Sequence, residues 1–495
     1  MLGLGSMGAG MCLLLAEHGY QLFGFDPNQG SVKKLLHDSK AAGLSVEVQS
    51  SYEQLCKQVK DGHGPGLFIL STPHGPAVDK LLKEMRPHLD RGDIIVDCGN
   101  EHWESTERRQ QELSKDGIHL IGCGVSGGYQ SARSGPSFSP GGEAEVLDKL
   151  MPFFKGIAAK DRQGRPCVRP VGPGSSGHYV KMVHNGIEQG MLSVLSEGWF
   201  ILVHGLGLSY PAVADVFASW NRDGPLHDCF LIGIAADGLQ ARNPEGGGFE
   251  VDVVRDKVVQ DVEDSEGTGN WACEEAMALH MPAATIVTAH MFRYASAYAS
   301  DRKENREAAS GVAALKPGRL RVQSRDDFVA LLQRATYFSF LCCFVQGMDL
   351  LRAKDRDRGW GLDYTDIMQL WRGGCIIQAD GVVDLLDDMY KRHERHRTDD
   401  VLADSEVAKE LSSQYSAAKQ VVLEAVRADL YVPAVSQSLE YYKYMTSTAL
   451  PTQFMEAQLD YFGEHMFDTW DEPPGEPRTG SHHYEWKAAR GKVDE

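Results

Sequence analysis

The glycine-rich segment near the start of the chain constrains the fold more than any other feature. Residues 3–8 read GLGSMG, which fits the pattern G-x-G-x-x-G, and apolar residues at helical spacing follow over 9–18. In such a loop the first glycine allows a tight turn, the second lets the backbone approach a pyrophosphate, and the third lets helix and strand pack closely. The amino end of the helix then offers N–H groups to the phosphates. The pattern predicts a dinucleotide site built from Gly3, Gly5, Ser6, Met7 and Gly8.

Asp26 bears on which dinucleotide binds, because it ends a strand-like run over 21–25 that follows the glycine loop. A carboxylate at this point accepts hydrogen bonds from the ribose hydroxyls of NAD and repels the 2′-phosphate of NADP. The next four residues bring no cation, whereas Lys33 and Lys34 lie about a turn further along. We therefore predict NAD or NADP as the cofactor, with NAD favoured by Asp26. Further candidate contacts to the cofactor are Asn28, Thr72 and Asn100.

The fold class follows from the alternation of short apolar runs and amphipathic stretches in the first third of the chain. The runs that read as buried strands are residues 21–25, 67–70, 93–97 and 119–122. Such alternation predicts βαβ units and a parallel sheet, whereas helical spacing dominates after about residue 172. We predict an α/β Rossmann-like dinucleotide-binding domain over 1–173, a large all-α domain over 174–466 and an extended C-terminal tail over 467–495, which cannot fold alone.

The start of the chain departs from this pattern. Only Met1 and Leu2 precede Gly3, whereas the first, central strand of such a domain normally needs about five residues. A truncated gene model or an alternative start would explain the difference. We expect the centre of the sheet to be weakened in the chain as written.

Composition and charge exclude several classes of protein. The 495 residues carry 50 basic and 69 acidic side chains, a net charge of −19, without a long basic run, which argues against binding to nucleic acid. The ten cysteines include no C-x-x-C pair, so we expect reduced thiols and no metal site. No run of 18 apolar residues and no signal-peptide pattern is visible, so we predict a cytoplasmic protein without a membrane partner. A cluster of His393, Glu394 and His396 reads more simply as a solvated charged face than as a metal site.

Four polar residues share one face of the first long helix of the all-α domain. Lys181, His184, Asn185 and Glu188 are spaced i, i+3, i+4 and i+7. Under a bound ligand this face would hold a base, an acid and two hydrogen-bonding groups; without one it would be an exposed charged face. The segments DCGN at 97–100 and GVSGG at 124–128 follow strands, and the carboxyl ends of parallel strands are where ligands bind in such folds.

Taken together, these motifs resemble the 6-phosphogluconate dehydrogenase family over nearly the whole chain. The matching segments, in order, are residues 3–8, 97–100, 124–128, 135–137, 140–142, 177–188, 267–269, 371–377 and 460–463, followed by His465. The resemblance implies an NAD(P)-dependent oxidative decarboxylation of a sugar acid to a ketopentose, without a metal. It also implies a homodimer in which the tail of one subunit threads through the other, so that His465 would be donated to the partner's site and residues 479–486 would be the threaded segment.

The resemblance also assigns roles to individual residues. Lys181 matches the general base that takes the C3 hydroxyl proton and, once protonated, polarises the ketone during loss of carbon dioxide. Glu188 matches the acid that protonates C1. A lysine near a positive nicotinamide and out of water would be neutral when needed. The residues that match those holding the carboxylate and hydroxyls of the substrate are Asn100, Ser126, Gly127, Gly128, His184 and Asn185.

The expected phosphate site of the substrate departs from the family pattern. Gln189 stands where the family has a tyrosine, Glu266 where it has a lysine, and Leu459 where it has an arginine. The positions that match are Thr268, Arg293 and His465. Charge-assisted hydrogen bonds to a phosphate are worth about 1.5–3 kcal/mol each. Loss of two cations could therefore weaken binding by about 10³-fold, which leaves an unphosphorylated aldonate open as the substrate.

Two further alternatives stay open at this point. The chain could be a non-catalytic NAD-binding paralogue, although the presence of Lys181 and Glu188 argues against decay of an active site. It could also be a β-hydroxyacid dehydrogenase that does not decarboxylate. Glu188 discriminates here, because an acid directed at C1 is needed only if carbon dioxide leaves.

Overall fold

The computed structural model describes residues 1–61, 64–260, 267–309, 316–393, 400–472 and 480–486. The chain divides into two compact units, Met1–Leu439 and Glu440–Glu495, and each is described by itself. The first unit contains a sheet region followed by a helical region, as predicted. The domain boundary predicted at 173/174 stays a prediction; the last sheet bridge involves Gly172, and the first long helix begins at Ser176.

The sheet region contains six strands among the described residues. They are β1 (Phe23–Gly24), β2 (Glu47–Val48), β3 (Leu67–Leu70), β4 (Ile94–Asp97), β5 (His119–Ser126) and β6 (Ser137–Gly141). Strands β1 and β2 pair in parallel, and β3, β4 and β5 form a parallel ladder. Strand β6 runs antiparallel to β5, so the prediction of a parallel sheet is wrong at this edge. The predicted strand over 21–25 is shortened to two residues.

Leu2 joins the two parts of the sheet. It bridges in parallel to Phe25 on one side and to Leu70 on the other. Its N–H donates to the Ile69 carbonyl at 2.8 Å, and its carbonyl accepts from the Ser71 N–H at 2.8 Å. The side chain is completely buried. Leu2 is therefore the single bridging residue between β1 and β3; a weakened sheet centre stays a prediction.

Helices cover both faces of the sheet, which is the doubly wound arrangement. Those of this region are α1 (Ser6–Glu17), α2 (Gln29–Ala41), α3 (Tyr52–Lys60), α4 (Pro76–Met85), α5 (Trp103–Ser114), α6 (Gly128–Ser134) and α7 (Ala144–Ile157). One apolar cluster joins α1 and α7 to the sheet, and a second joins α3, α4 and α5 to it. Since each face has its own core, the strands are buried on both sides, which explains their continuous apolar sequences.

The rest of the first unit is helical. Its helices are α8 (Ser176–Phe200), α9 (Tyr210–Arg222), α10 (Phe230–Gly238), α11 (Thr268–Ala278), α12 (Ala284–Tyr294), α13 (Ala299–Ala308), α14 (Arg325–Arg358), α15 (Tyr364–Leu370), α16 (Asp380–Arg392), α17 (Ser405–Arg427) and the start of α18 (Pro433–Met445). Short 3₁₀ helices span Arg86–His88, Glu250–Asp252, Ala295–Ala297 and Val401–Ala403, and Ile201–Gly205 is a π-helix.

Helix α14 is the central helix of this region and packs against α8 and α17. Among the described residues it alone is long and apolar enough, by length and composition, to cross a membrane. However, 72% of its most apolar window is buried inside the protein. The helix therefore has the packing of a core helix in a globular domain.

The second unit contains the end of α18, helix α19 (Thr452–Gly463) and the terminal segment. Residues 480–486 return to α19 and to the chain that follows it. Phe467, after the end of the helix, forms an antiparallel bridge with His482. The Asp460 carboxylate on α19 accepts from His483 Nδ1 at 3.0 Å and Trp486 Nε1 at 2.7 Å. Within this unit, the described part of the predicted tail is thus held to α19 by hydrogen bonds.

Candidate active site

The glycine loop has the geometry of a phosphate cradle. Gly3 has a φ of +87°, and a Cβ on it would lie 2.2 Å from the Ser71 carbonyl oxygen. A Cβ on Gly8 would lie 2.0 Å from the Gly3 carbonyl oxygen. By contrast, no atom lies within 4 Å of a Cβ built on Gly5, which precedes α1 without a side-chain cap on that helix. The open space is therefore at the second glycine, where the backbone of such loops approaches a pyrophosphate.

Asp26 and Asn28 are organised around the same loop. The Asp26 carboxylate accepts from the Leu4 N–H at 2.6 Å and from the Asn28 N–H at 2.7 Å. The Asn28 amide oxygen in turn accepts from the Gly30 N–H at 2.8 Å and caps α2. Each Asp26 oxygen already accepts one backbone N–H, but a carboxylate has further lone pairs for a ligand hydroxyl.

Thr72 closes the cradle from the end of β3. Its methyl group lies 3.0 Å from the Cβ position of Gly3, and its carbonyl oxygen 2.9 Å from that of Gly99. The Thr72 hydroxyl is buried, and it has no hydrogen-bond partner among the described residues. A buried hydroxyl beside an open glycine loop fits a bound dinucleotide that would satisfy it. The turn carrying Asn100 packs on the same residue.

Helix α8 lies against the carboxyl ends of β4 and β5. His178 Nε2 is 3.0 Å from the Asp97 carbonyl oxygen. The Cβ of Lys181 lies 2.3 Å from where a Cβ on Gly124 would stand, so only glycine allows this approach. This packing brings the predicted polar face of α8 to the carboxyl ends of the strands, where the dinucleotide cradle also lies.

Three of the four polar residues on this face are buried. Lys181 is 7% exposed, His184 1% and Asn185 8%, which excludes the exposed charged face that the sequence left open. The Lys181 Nζ atom lies 3.5 Å from His184 Nδ1. The fourth residue, Glu188, is partly exposed, and its Oε2 lies 3.8 Å from the same ring nitrogen.

A chain of hydrogen bonds fixes the His184 ring. The Asn185 amide nitrogen donates to the Thr268 hydroxyl at 2.6 Å, so its oxygen faces His184 Nδ1, at 2.9 Å. Nδ1 therefore carries the proton, and Nε2 accepts from the Ser126 hydroxyl at 2.9 Å. The Ser126 oxygen accepts in turn from the Ile376 N–H at 3.2 Å.

The protonation state of His184 follows from its surroundings. Burial lowers its pKa well below the usual value, and the nearby Lys181 charge lowers it further, whereas the Asn185 hydrogen bond raises it. The imidazole is therefore neutral near neutral pH. A neutral ring leaves Lys181 as the basic nitrogen of this group.

The glycines of the 124–128 segment shape the remaining wall. Gly127 has a φ of +109°, and a Cβ on it would lie 2.4 Å from the Gly374 carbonyl oxygen. Gly128 has a φ of +69° and lies 4.0 Å, measured from its Cβ position, from the Ile376 side chain. These conformations turn the chain sharply at the start of α6 beside Ser126.

Comparison with known proteins decides which family has this arrangement. The model for the NAD binding domain of 6-phosphogluconate dehydrogenase matches residues 1–172, and that for the C-terminal domain of the same enzyme matches residues 177–486. The chain belongs to the 6-phosphogluconate dehydrogenase family.

Relatives of this family cover almost the whole chain. The chain is 40% identical to the decarboxylating 6-phosphogluconate dehydrogenase of Emericella nidulans, over 98% of this chain and 100% of the other. It is 34% identical to the NADP(+)-dependent, decarboxylating enzyme of Bacillus subtilis, over 98% of each chain. The Plasmodium falciparum 6-phosphogluconate dehydrogenase, solved in its apo form and with NADP+ or 6-phosphogluconate, has a TM-score of 0.86 and 31% identity, covering 98% of this chain and 99% of that one. The predicted family and fold class are confirmed.

The residues expected around the substrate phosphate lie in different parts of the structure. The Arg293 guanidinium donates to the Gln189 side-chain oxygen at 2.5 Å. The Gln189 side chain lies 3.4 Å from the Cβ position of Gly269, the residue after Thr268 on α11. Glu266 lies outside the described residues. Leu459 and His465 belong to the second unit, where His465 stacks edge-on against Phe462 with 5.8 Å between ring centroids.

Other predicted groups can be placed as well. His393 pairs with Asp404 at 3.0 Å, while Glu394 and His396 lie outside the described residues. Among the described residues, no group of three His, Cys, Asp or Glu side chains is arranged to hold a metal ion.

Three residues contribute to the site of this family member although the sequence analysis gave them no role: Ile376, Gly374 and His178. The Ile376 N–H holds Ser126, and the Gly374 carbonyl packs on Gly127; the resemblance of residues 371–377 to the family was the available signal. His178 holds α8 to β4 and is itself held by the Thr106 hydroxyl at 2.6 Å. It lies in the segment 177–188 that resembles the family, but no role had been assigned to it.

Proposed function

We propose that this chain oxidises and decarboxylates 6-phosphogluconate, or a closely related sugar acid, with NAD(P)+ as the oxidant. The observation that carries the proposal is the buried Lys181–His184–Asn185 face of α8, with Glu188 at its rim, placed at the sheet edge that forms the dinucleotide cradle. The names of the relatives give the reaction type and the substrate. The roles of the individual site residues are proposed on their geometry and on the family resemblance.

The proposed dinucleotide contacts are those of the cradle, Asp26, Asn28, Thr72 and Asn100. When bound, the nicotinamide supplies the acceptor for the hydride that leaves the substrate. Lys181 takes the proton of the hydroxyl on the same carbon. The resulting ammonium then donates to the ketone oxygen, so that the neighbouring carboxylate leaves as carbon dioxide. Glu188 then donates a proton to C1 of the enediol that remains after carbon dioxide has left.

His184, Asn185 and Ser126 orient the substrate in this scheme. Because Nδ1 of His184 carries a proton, it offers no lone pair to the Lys181 ammonium. The ring therefore does not compete with the substrate oxygen for the N–H groups of Lys181. The backbone N–H groups at Gly127 and Gly128 suit the substrate carboxylate, since two neighbouring N–H groups bind an anion without a side-chain charge.

One observation favours a second candidate substrate. Gln189 occupies Arg293 with a 2.5 Å hydrogen bond, and the family tyrosine is absent at this position. This hydrogen bond uses one of the five N–H groups of the guanidinium, which leaves fewer of them for a phosphate. An unphosphorylated aldonate, whose end carries only hydroxyl groups, fits such a pair better.

The cofactor preference is also a proposal. The Bacillus subtilis relative is NADP(+)-dependent, and the Plasmodium falciparum enzyme was solved with NADP+. Here, however, Asp26 is anchored at the loop by two backbone N–H groups, and residues 27–30 carry no cation. We infer that this chain uses NAD better than those relatives do.

An initial-rate grid tests these proposals. It crosses 6-phosphogluconate and gluconate with NAD+ and NADP+, and it follows the absorbance of the reduced nicotinamide. Turnover of 6-phosphogluconate would show that Arg293, Thr268 and the partner's groups suffice for the phosphate. Turnover of gluconate alone would establish the second candidate. No turnover in any combination, with dinucleotide binding retained, would favour a non-catalytic paralogue.

The assembly and location of the protein are proposed on the family resemblance. We infer a homodimer in which the terminal segment and His465 complete the partner's site. The described part of that segment is residues 480–486; Thr479 lies outside the described residues. A cytoplasmic location stays a prediction, and one of the relatives is named as chloroplastic.

A further inference from the structure

Two cysteines face each other at the sheet edge that carries the site. Asp97 on β4 pairs with Gly122 on β5 in the parallel ladder, so Cys98 and Cys123 stand one residue beyond that pair. Adjacent strands are about 4.8 Å apart, within the Cα separations that disulfides span. All ten cysteines are free in this structure, so the pair is present as two thiols.

The side chains of the two cysteines lie on the same face of the sheet. A Cβ on Gly122 would meet Thr106 and His178, at 2.7 Å and 3.0 Å, so that side of the ladder faces α5 and α8. Cys98 and Cys123, being one residue further along, face the opposite side, where both pack into the cluster under α1 and α7. There the Cys123 thiol donates to the Gly124 carbonyl oxygen, at 3.8 Å.

We propose that Cys98 and Cys123 form an oxidisable dithiol pair that closes to a disulfide when the protein meets a small-molecule disulfide such as glutathione disulfide. Cys98 is the partly exposed member, and Cys123 is completely buried. Reagents in solution therefore meet Cys98 first, and Cys123 is the resolving thiol.

The reaction balances as two successive thiol–disulfide exchanges. The Cys98 thiolate attacks one sulfur of glutathione disulfide, which breaks the reagent's S–S bond and releases one glutathione. The Cys123 thiolate then attacks the Cys98 sulfur, which breaks the mixed disulfide and releases the second glutathione. Two protein thiols are oxidised, one small disulfide is reduced, and two protons pass to the released thiols.

The second step is the slower one. Burial raises the pKa of Cys123 well above its usual value, as do the neighbouring Cys98 and Asp97 groups, whereas a backbone hydrogen bond with Ser139 lowers it. Because the thiolate is the attacking species, the mixed disulfide on Cys98 should accumulate before the internal disulfide closes, and mildly alkaline buffer should speed closure.

Closure would act on the site because both cysteines adjoin its loops. Cys98 lies two residues before Asn100, and Cys123 lies three before Ser126. A disulfide holds the two sulfurs about 2.05 Å apart, closer than two unbonded sulfur atoms can stand, which moves the strand ends that carry these residues. A displacement of about 1 Å at a reacting site costs about 10²-fold in rate. This consequence rests on the proposed function, whereas disulfide formation itself does not.

The experiment treats the full-length protein with glutathione disulfide in mildly alkaline buffer and maps the cysteines by mass spectrometry. We expect the wild type to form the 98–123 disulfide, Cys123→Ala to stop at glutathione on Cys98, and Cys98→Ala to leave Cys123 unmodified. Cys12→Ala, which removes another buried thiol of the same cluster, should behave like the wild type. A wild type that keeps glutathione on Cys98, or that remains unmodified there, would overturn the proposal.

Rates are then compared before and after treatment with substrates found active in the grid. We expect kcat/KM of the wild type to fall about 10- to 100-fold on oxidation and to recover with dithiothreitol, while Cys98→Ala is unaffected by the treatment. A fully oxidised wild type with an unchanged rate would overturn the effect on the site. Disulfide formation in a protein whose reduced form is inactive with every substrate would instead contradict the proposed function.

Discussion

At the scale of single residues, the proposed reaction depends on the basic nitrogen of Lys181. His184 is neutral because burial and Lys181 lower its pKa, and its Nδ1 proton is committed to Asn185. Replacing Lys181 with Met keeps the length of the buried chain and removes the base. We expect kcat/KM to fall by about 10²–10⁴-fold, the usual contribution of a general base.

Steady-state kinetics with a dinucleotide-binding control checks this prediction. The dissociation constant for the cofactor should change little in Lys181→Met, since the cradle is formed by the glycine loop. A variant that retained more than about a tenth of the wild-type kcat/KM would have lost less than about 1.4 kcal/mol of transition-state stabilisation. That result would show that Lys181 is not the base.

The common face of the four polar residues on α8 could be predicted from the sequence, but their burial could not. The spacing of Lys181, His184, Asn185 and Glu188 predicted their common face, because helical geometry fixes which side chains are neighbours. Their burial depends on Gly124 admitting the helix to the sheet, and spacing carries no such information. The contact of Ser126 with Ile376 joins residues 250 positions apart, and only the family resemblance had singled out that second segment.

At the scale of elements, a buried carboxylate joins α8 to the start of α18. The Glu197 carboxylate accepts from the Ala434 N–H at 2.7 Å and the Val435 N–H at 3.0 Å. Burial raises the pKa of Glu197 to about 8, although these hydrogen bonds and that of Ser193 lower it. The folded protein therefore binds this proton more tightly than the unfolded chain does.

The sign of the pH dependence follows from that difference. The stabilising effect of the raised pKa is complete below the unfolded pKa, near 4.3, and is lost as pH rises through about 8, at up to about 1.4 kcal/mol per pH unit. Glu197→Gln keeps the acceptor oxygen and removes the titration. We expect its free energy of unfolding to exceed that of the wild type near pH 8 and to approach it near pH 5.

Denaturant unfolding of both proteins across this pH range measures the effect. The matched control is Ser193→Ala, which removes one hydrogen bond to Glu197 without removing the carboxyl group. The control should keep the wild-type slope with pH. If Glu197→Gln were less stable by a constant amount at every pH, the carboxylate would be charged throughout and the pKa assignment would be wrong.

A second element-scale prediction concerns the terminal segment of the second unit. Asp460 accepts from His483, Trp486 and the Tyr484 N–H, and it is the common acceptor for residues 480–486. Asp460→Ala should therefore release that segment from α19. We expect faster amide hydrogen exchange in 480–486, and unchanged exchange with Gln458→Ala, an exposed position on the same helix. Equal protection in wild type and Asp460→Ala would show that the bridge between Phe467 and His482 suffices.

The sequence predicted the positions of some strands well, but not the length or direction of others. The strands at 67–70, 93–97 and 119–122 were visible because burial on both faces gives continuous apolar runs. Of the strand predicted over 21–25, Phe23 and Gly24 pair with β2, and Phe25 forms an isolated bridge to Leu2. The antiparallel direction of β6 was not visible, since apolar composition does not report strand direction.

At the scale of the whole molecule, the proposed dimer gives the terminal segment a function in catalysis. A chain ending at Trp470 lacks residues 480–486 and, on this proposal, leaves the partner's site incomplete. We expect it to lose most of its activity and to dissociate at concentrations where the full-length protein is dimeric. Sedimentation velocity and initial rates on the same samples check both. A truncated chain that remained a fully active dimer would contradict the threading of the tail.

In the proposed function, Lys181 and Glu188 carry out oxidation and decarboxylation in one site. The most direct test measures carbon dioxide and reduced nicotinamide released in the same reaction with 6-phosphogluconate, or with gluconate if only that acid is turned over. We predict equal amounts of the two products throughout the reaction in the wild type. Reduced nicotinamide formed without carbon dioxide would contradict it and would make the chain a dehydrogenase that does not decarboxylate.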